Sequence, residues 1–432
     1  MGFIKNFIKK YAALLPPMGL LVFAVLLLLP TLWIGSKVRA QMDNSVRQAK
    51  TIQGLSANVP SRNTPPLVKA YMDRLENEVT LIDDLVRQSS QRELIAWNIF
   101  PEPKDTSSQV YLEYGRNYNR AIETMFQTLN ALDAPSETEI RQRTGTMTRP
   151  VVGGGMINRP ATARRAGTLD PMIDALCIAR AESISVYASP TAFAWYDFWN
   201  NYTFEGKTTA LQDCWNSQIA LWIYNDIAKT IQAMNTGSTR VATSPVKRIL
   251  GVSFSGPVAT GDSRRPAGGV TSETATRRDT GRDNPNYVTA TSPSVFVQPL
   301  PWTGRIGGTD YDVVHFAVSV IIDNRHVLSF MQELCSEKEH TFREDFQEDG
   351  RVIASRHNQI TILESAASAV EKDNPDHELY RYGDGAVMRL DLVGEYLLDR
   401  KGYDAIKPDP IKESLGQLET QPGTPGAGGS NW

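Results

Sequence analysis

The chain has 432 residues, of which 41% are hydrophobic and 9% aromatic, and its formal net charge is −3 at pH 7. This length and composition predict a globular protein with a substantial core and about two or three domains. The near-neutral charge excludes a global electrostatic drive toward nucleic acid or anionic lipid.

An apolar segment near the N terminus is the most informative feature of the sequence. Met18 to Ile34 form a run of 17 residues without a charge. Extended to residues 14–35, a helix of this length rises about 30 Å, the thickness of the hydrocarbon layer of a bilayer. The run predicts a single N-terminal transmembrane helix after a short basic tail at residues 1–13.

Two interpretations of this segment compete. Val38 and Ala40 meet the small-residue requirement of a signal-peptide cleavage site. The charged residues Lys37 and Arg39 lie directly beside them, which is not typical of such a site. This favours an uncleaved anchor. We therefore expect a single-pass protein of the inner (cytoplasmic) membrane, with a cytoplasmic N terminus and a periplasmic bulk, so that the membrane is its first predicted partner.

The segment 36–133 is predicted to form a helical, coiled-coil stalk. Its strongest signal is an apolar seam whose residues lie alternately four and three positions apart, with acidic and basic residues on the other faces. The seam consists of Val68, Met72, Leu75, Val79, Ile82 and Val86. A second helical pattern runs from Tyr111 to Leu132.

The seam permits two interpretations. Its helix can fold back on a neighbouring helix of the same chain, or it can pair with another chain as a homodimer or heterodimer. Three heptads are marginal in isolation, so the seam requires burial against a partner in either case.

Composition divides the remainder of the chain. An Arg/Gly-rich stretch at 134–169 predicts a solvated linker, and Gly, Pro, Ser and Thr predict a flexible loop at 257–308. Between and after them, helix and strand patterns alternate in the segments 170–256 and 309–400. The last segment, 401–432, ends in a Gly/Pro-rich sequence and is predicted to be a disordered tail.

Two stretches carry a resemblance to a known family. The sequence VVHFAVSVIIDNRHVLSFMQELC, Val313 to Cys335, is similar to a strand followed by an Asp/Asn-capped helix in ferredoxin-like domains. The sequence SISVYA, Ser183 to Ala188, with the helical pattern Leu211 to Met234 and the strand pattern Val246 to Phe254, repeats this plan. With the predicted anchor and stalk, the arrangement resembles the PilO family of type IV pilus alignment proteins and the GspM-type platform proteins of type II secretion.

The resemblance implies an α+β fold with tandem ferredoxin-like (split βαβ) units at 170–256 and 309–400. It also implies a noncatalytic, membrane-anchored scaffold of a pilus or secretion platform, paired with a similar single-span protein. No small-molecule substrate and no nucleic acid would take part.

The sequence offers no motif that predicts an enzyme, a cofactor site or a metal site. Gly206 to Thr208 spell GKT, but Asn201 stands where a phosphate-binding loop requires glycine. The histidines form neither an HExxH motif nor an i, i+4 pair; they are His315, His326, His340, His357 and His377.

Three cysteines, Cys177, Cys214 and Cys335, are widely spaced and form no CxxC motif. They are expected to act as small buried hydrophobes. A Cys177 to Cys214 disulfide would leave one thiol unpaired, and the sequence leaves the disulfide state open.

Seven aromatic residues lie between Phe193 and Phe204. One interpretation places them in the core beside Trp215 and Trp222. The other makes Trp195, Tyr196, Trp199 and Tyr202 an exposed binding surface for a protein or glycan, which would make the chain a membrane-anchored periplasmic binding module.

Overall fold

A computed structural model describes residues 15–57, 64–105, 107–144, 170–258, 282–297, 302–371 and 374–418. The chain divides into two compact units, with the boundary between Ile82 and Asp83. The first unit contains a long helix and most of a second one. The second unit contains a β-sheet and its covering helices.

The helices of the described residues are numbered here in chain order. They are α1 (Leu15–Ala57), α2 (Thr64–Ser90), α3 (Ser108–Leu129), α4 (Glu137–Thr144), α5 (Pro171–Ser183), α6 (Ala194–Asn200), α7 (Lys207–Met234), α8 (Val327–Leu334), α9 (Arg400–Tyr403) and α10 (Asp409–Ser414).

The strands form one mixed seven-stranded sheet and one separate hairpin. They are β1 (Ala131–Leu132), β2 (Val186–Tyr187), β3 (Val246–Ser253), β4 (Asn286–Tyr287), β5 (Tyr311–Asp323), β6 (Lys338–Arg343), β7 (Val352–His357), β8 (Ile360–Ala369) and β9 (Val387–Asp399). The sheet order is β1-β2-β3-β5-β9-β8, with β4 paired to β5, while β6 and β7 form the hairpin. The pairs β1–β2 and β2–β3 are parallel, and the other pairs are antiparallel.

The central strand of the sheet is β5. Its side chains are buried on both faces from Asp312 onward, and a strand with two buried faces requires partners along both edges. It pairs with β9 along its whole length, from Tyr311 opposite Asp399 to Asp323 opposite Val387. The opposite edge pairs with β3 and β4.

This pairing corrects the predicted fold class. Strand β3 belongs to the predicted first ferredoxin-like unit and β5 to the second, yet the two are neighbours in one sheet. The prediction of tandem ferredoxin-like units is therefore wrong, because the buried strand β5 requires a partner on its second edge and pairs there with β3. The structure is a mixed α and β fold with one multistranded sheet.

The central helix of the second unit is α7. Nearly all of its side chains from Ala210 to Ile231 are buried, as expected for a helix that is covered on every side. Helices α3 and α8 pack against it. The helical pattern predicted from Tyr111 is thus confirmed as α3, but α3 lies in the core and not in a stalk, because Tyr111, Tyr118 and Ile122 are fully buried.

Individual elements beyond the linker agree with the sequence patterns. Asp170 caps α5 by accepting a hydrogen bond from the Met172 amide at 2.8 Å. Asp323 ends β5 and accepts from the Arg325 amide at 3.0 Å before α8 begins. Both are helix-start signals of the expected kind, in which a carboxylate satisfies an otherwise unpaired amide.

Parts of the predicted linker and loop are also structured. Helix α4 lies within the predicted linker 134–169, and its Arg141 pairs with Glu137 at 2.7 Å. Strand β4 lies within the predicted flexible loop 257–308 and pairs with β5. Residues 145–169, 259–281 and 298–301 lie outside the described ranges.

Residues 401–418 of the predicted disordered tail are ordered. A buried ion pair holds them, since the fully buried Lys407 donates to Asp312 Oδ2 of β5 at 2.6 Å. Gln417 donates to Asp312 Oδ1 at 2.7 Å and so satisfies the second carboxylate oxygen. The remainder of the tail is outside the described residues.

The predicted transmembrane helix is not supported. Helix α1 begins at Leu15, just before the apolar run, and continues without interruption to Ala57, through the charged residues Lys37, Arg39 and Asp43. Within the described ranges, no helix combines the length and the apolar character needed to cross a bilayer. The predictions of a transmembrane segment at 14–35 and of a single-pass inner-membrane protein are therefore wrong; residues 1–13, the predicted tail, lie outside the described part.

A close contact between β5 and β9 provides a test of this sheet. Phe316 lies opposite Gly394, where a Cβ would lie 2.5 Å from the Phe316 ring. Gly394→Ala should therefore lower the free energy of unfolding by about 1 to 3 kcal/mol, because the ring must move. Denaturant unfolding of the full chain measures this change.

The control is Gly256→Ala, since a Cβ at Gly256 meets no atom within 4 Å. Its unfolding free energy should change by less than about 1 kcal/mol. Equal stabilities of the two variants would contradict the close contact.

Candidate functional site

The six seam residues on α2 are exposed. Their side chains are between 39% and 63% exposed, with Val86 the least and Val79 the most. Four further apolar side chains of α2 are exposed as well: Leu67, Tyr71, Leu81 and Leu85. The described structure therefore presents an apolar helix face of the kind that a coiled coil buries.

Charged side chains lie on the other faces of α2, and some of them pair within the helix. Arg74 donates to Glu78 at 3.1 Å, and Arg87 donates to Asp84 at 3.2 Å. Both pairs have the spacing of neighbours on one helix face. The polar faces are thus suited to water, and the seam is not.

The C-terminal part of α2, from Asp83 onward, belongs to the second unit. Lys401 donates to Asp83 at 2.6 Å. Ser90 is buried against Gly402, where a Cβ would overlap its hydroxyl group. The residues of α2 from Asp83 onward therefore pack within the second unit.

The aromatic cluster lies mainly in the core. Trp195 and Trp199 are buried, and Tyr196 and Tyr202 are partly buried. They belong to the same apolar cluster as Trp215 and Trp222. The exposed-surface interpretation is wrong for Trp195 and Trp199, because a side chain that packs on all sides offers no area to a partner.

Specific contacts explain this burial. The Trp195 indole N–H donates to the carbonyl of Asp283 at 2.8 Å, which satisfies its polar atom. Trp199 packs on Gly115 of α3, where a Cβ would come within 2.6 Å of the indole ring. The glycine lets α3 approach α6 closely, and this contact was not predicted.

A chain of buried polar groups crosses the sheet at Ser294, His315 and Glu395. The Ser294 hydroxyl lies 2.6 Å from His315 Nδ1, and His315 Nε2 lies 3.8 Å from Glu395 Oε2. His315 on β5 and Glu395 on β9 are direct cross-strand partners. These residue types in this order are those of a hydrolase triad.

The surroundings of this chain oppose catalysis. Ser294 Oγ already accepts hydrogen bonds from the amides of Phe296 and Val297, at 3.1 and 3.2 Å. With its proton directed at His315, the hydroxyl has no lone pair free for attack. Ser294, His315 and Glu395 are all buried, so a substrate has no direct access.

Glu395 is held in its charged form. Burial raises the pKa of this carboxyl group, but the nearby His315 imidazole and hydrogen bonds from Arg305 and Thr303 together lower it below its usual value. The Arg305 guanidinium donates to Glu395 Oε1 at 2.7 Å. The group is thus a satisfied structural anion between two strands and the loop that carries Arg305.

A groove of about 610 Å³ lies between α3 and α7. Leu94, Met125 and Leu221 contribute apolar surface, and Arg120 and Lys229 contribute charge. Neither Ser294 nor His315 lines it. The groove and the Ser294 chain are therefore separate features, and they do not combine into an active site.

A second buried network joins α7 to the sheet. The Tyr396 hydroxyl lies 2.9 Å from Asp226 Oδ2 and 2.8 Å from Gln359 Oε1. The Arg92 guanidinium bonds the same Gln359 oxygen. His340 Nε2 lies 3.6 Å from Asp226 Oδ1.

Burial controls the protonation of this network. It raises the pKa of Asp226, although the nearby Arg92 charge opposes the shift. Burial, reinforced by the charges of Arg92 and Lys229, lowers the pKa of His340 to about 2. The imidazole of His340 is therefore neutral at ordinary pH.

Within the described residues, His, Cys, Asp and Glu side chains form no group of three or more that could hold a metal ion. Cys177, Cys214 and Cys335 are free thiols, and the first two are buried. A Cys177 to Cys214 disulfide is not formed in the structure.

The two buried networks were not predicted from sequence. Ser294, Glu395 and Asp226 lie far from their partners in the chain and follow no spacing rule. The cross-strand register of β5 and β9 brings His315 and Glu395 together. No local pattern in the sequence encodes that register.

Comparisons with protein-family models, with curated proteins and with solved structures found no match for this chain.

The burial of Ser294 can be tested through its reactivity as a nucleophile. A fluorophosphonate probe should label the folded chain no more than it labels Ser294→Ala, because the hydroxyl is buried and both its lone pairs are occupied. Ser294→Ala should also lower the unfolding free energy by about 1 to 3 kcal/mol, since it leaves buried hydrogen-bonding groups unpaired. Labelling that the alanine variant abolishes would instead identify a reactive serine.

The neutral His340 predicts a pH dependence of stability. In the unfolded chain this imidazole binds a proton near pH 6.5, whereas the folded protein keeps its pKa at about 2. Below pH 6.5 the unfolded state therefore binds more protons than the folded state. The contribution of His340 to the free energy of unfolding is fully present above that pH and declines as the pH falls. Between roughly pH 6 and pH 4, the unfolding free energy of His340→Gln should therefore fall by about 1.4 kcal/mol less per pH unit than that of the wild-type chain.

Denaturant unfolding at several pH values measures the slope. Gly394→Ala is the control, because it lowers stability without removing a titrating group, and it should keep the wild-type slope. An unchanged slope in His340→Gln would show that His340 does not stay neutral in the folded chain.

Proposed function

We propose that this chain is a noncatalytic scaffold protein that pairs with another chain through the seam on α2. One observation carries the proposal: six apolar side chains at heptad spacing are exposed along one face of α2. The remaining faces carry exposed charged pairs, which are well solvated by water. Pairing would bury the apolar face and leave the charged faces in contact with solvent.

The polar chemistry of the second unit supports a noncatalytic role. Its Ser, His and Glu chain is enclosed and hydrogen-bonded, and its Asp226 network joins secondary-structure elements. Both arrangements stabilise a sheet. A folded unit that is joined in the chain to a pairing helix suits a scaffold.

The narrower assignment to a pilus or secretion platform is not part of this proposal. That assignment depended on a membrane span and on tandem ferredoxin-like units, and neither is found among the described residues. The proposal also omits the aromatic binding surface, because Trp195 and Trp199 are buried. Pairing through α2 is independent of all three.

The test is crosslinking in intact cells that express a tagged full-length chain. A lysine-reactive or photoactivated crosslinker should trap an adduct larger than the monomer. Leu75→Glu combined with Ile82→Glu should reduce this adduct at least about tenfold, because two charges would be buried in the pair. The adduct is quantified on a denaturing gel.

The matched control is Ala70→Glu combined with Asn77→Glu. These two positions are also seven residues apart and gain the same charge, but they lie on the opposite face of α2. This variant should keep the adduct. Loss of the adduct in both variants, or in neither, would refute pairing through the seam.

A further inference from the structure

The heptad positions of the seam define how two copies of α2 can align. The alternation of four and three residues makes Met72, Val79 and Val86 the a positions. Val68, Leu75 and Ile82 are then the d positions. A parallel pair matches a with a and d with d, whereas an antiparallel pair matches a with d.

One antiparallel register buries the whole seam. It places Met72 opposite Ile82 of the second copy, and Val79 opposite Leu75. Val86 then lies opposite Val68, so that all six side chains of each helix enter a layer. A shift of one heptad in either direction leaves part of the seam uncovered.

The flanking charges differ between the two orientations. In the antiparallel register the e positions of the copies face each other, which brings Lys69 beside Asp83 twice. The g positions bring Tyr71 beside Leu85 twice. Glu76 faces Glu76 of the second copy, and Glu78 faces Glu78. The antiparallel register thus makes two attractive, two apolar and two repulsive contacts.

The parallel orientation lacks any such attraction. There a g position faces the e position five residues later in the partner, so Glu78 meets Asp83 twice. Lys69 then faces Thr64 and has no acidic partner. Asp83 also accepts from Lys401, but its side chain remains 47% exposed and accessible to a second lysine.

The position of the second unit in the chain favours the same orientation. That unit begins at Asp83, near the C-terminal end of the seam. In a parallel pair these two ends, with the units that begin there, would lie side by side. In an antiparallel pair they lie at opposite ends of the helical contact.

We infer that the partner of α2 is a second copy of this chain and that the two helices pair antiparallel, with Met72 of one copy in the same layer as Ile82 of the other. This inference rests on the pairing proposed above. It names the partner and the orientation, which that proposal leaves open.

The test uses purified full-length chain with Cys335→Ala, since Cys177 and Cys214 are buried. Met72→Cys and Ile82→Cys are prepared as separate variants with different tags and are oxidised mildly, alone and mixed. Only the mixture should give a disulfide-linked dimer. In the antiparallel register two copies of Cys at position 72 would be about 15 Å apart along the axis, too far to bond.

The outcomes separate the two claims. Self-crosslinking of Met72→Cys alone would indicate a parallel pair and overturn the orientation, while pairing through the seam would stand. A purified chain that stays monomeric, together with a seam-dependent adduct in cells, would identify a different partner and overturn the second-copy assignment. If the adduct in cells does not depend on the seam, both claims fail.

A charge variant tests the register independently. Lys69→Glu should weaken dimerisation about five- to tenfold, measured by sedimentation equilibrium, because it converts two attractive contacts into repulsive ones. In a parallel pair Lys69 faces Thr64 and the change would have little effect. An unchanged dissociation constant would therefore contradict the antiparallel register.

Discussion

The buried strand β5 is the constraint on which the fold depends. Both of its faces are covered by apolar side chains, so its backbone groups can be satisfied only by strands on both edges. Strand β9 meets this need along one edge, and β3 with β4 along the other. The sheet is therefore continuous across segments that local patterns divide into two units.

The same strand organises the buried polar groups. His315 on β5 meets Glu395 on β9 through the register of that pair, and Asp312 at its start binds Lys407 and orders the segment after β9. Charges inside a sheet are costly unless they are paired and hydrogen-bonded. Here both carboxylates have cationic and neutral donors, which explains how an apolar strand can carry polar residues.

The α2 helix differs in one respect from helices α3 and α7. In the second unit, apolar side chains at helical spacing are buried, as on α3 and α7. On α2 an equally regular pattern is exposed. Since exposed apolar area is unfavourable in water, this contrast identifies α2 as a surface that would gain from a partner.

The sequence by itself determined the elements that depend on short-range patterns. The period of α3 and α7, the apolar run of β5 and the helix cap at its end, Asp323, were predicted correctly, because each depends on residues within a few positions of each other. The heptad spacing on α2 was likewise readable, although spacing alone does not say what covers it.

Only the tertiary structure decided the rest. The pairing of β3 with β5, the core position of α3 and the buried Trp195 depend on contacts between residues distant in the chain. So do the Ser294 and Asp226 networks, whose members carry no local signal. The apolar run at Met18 to Ile34 illustrates the same limit, since it forms part of one long helix that continues into charged residues. A local pattern sets which face of an element is apolar, but the free energy of the whole fold selects what that face is packed against.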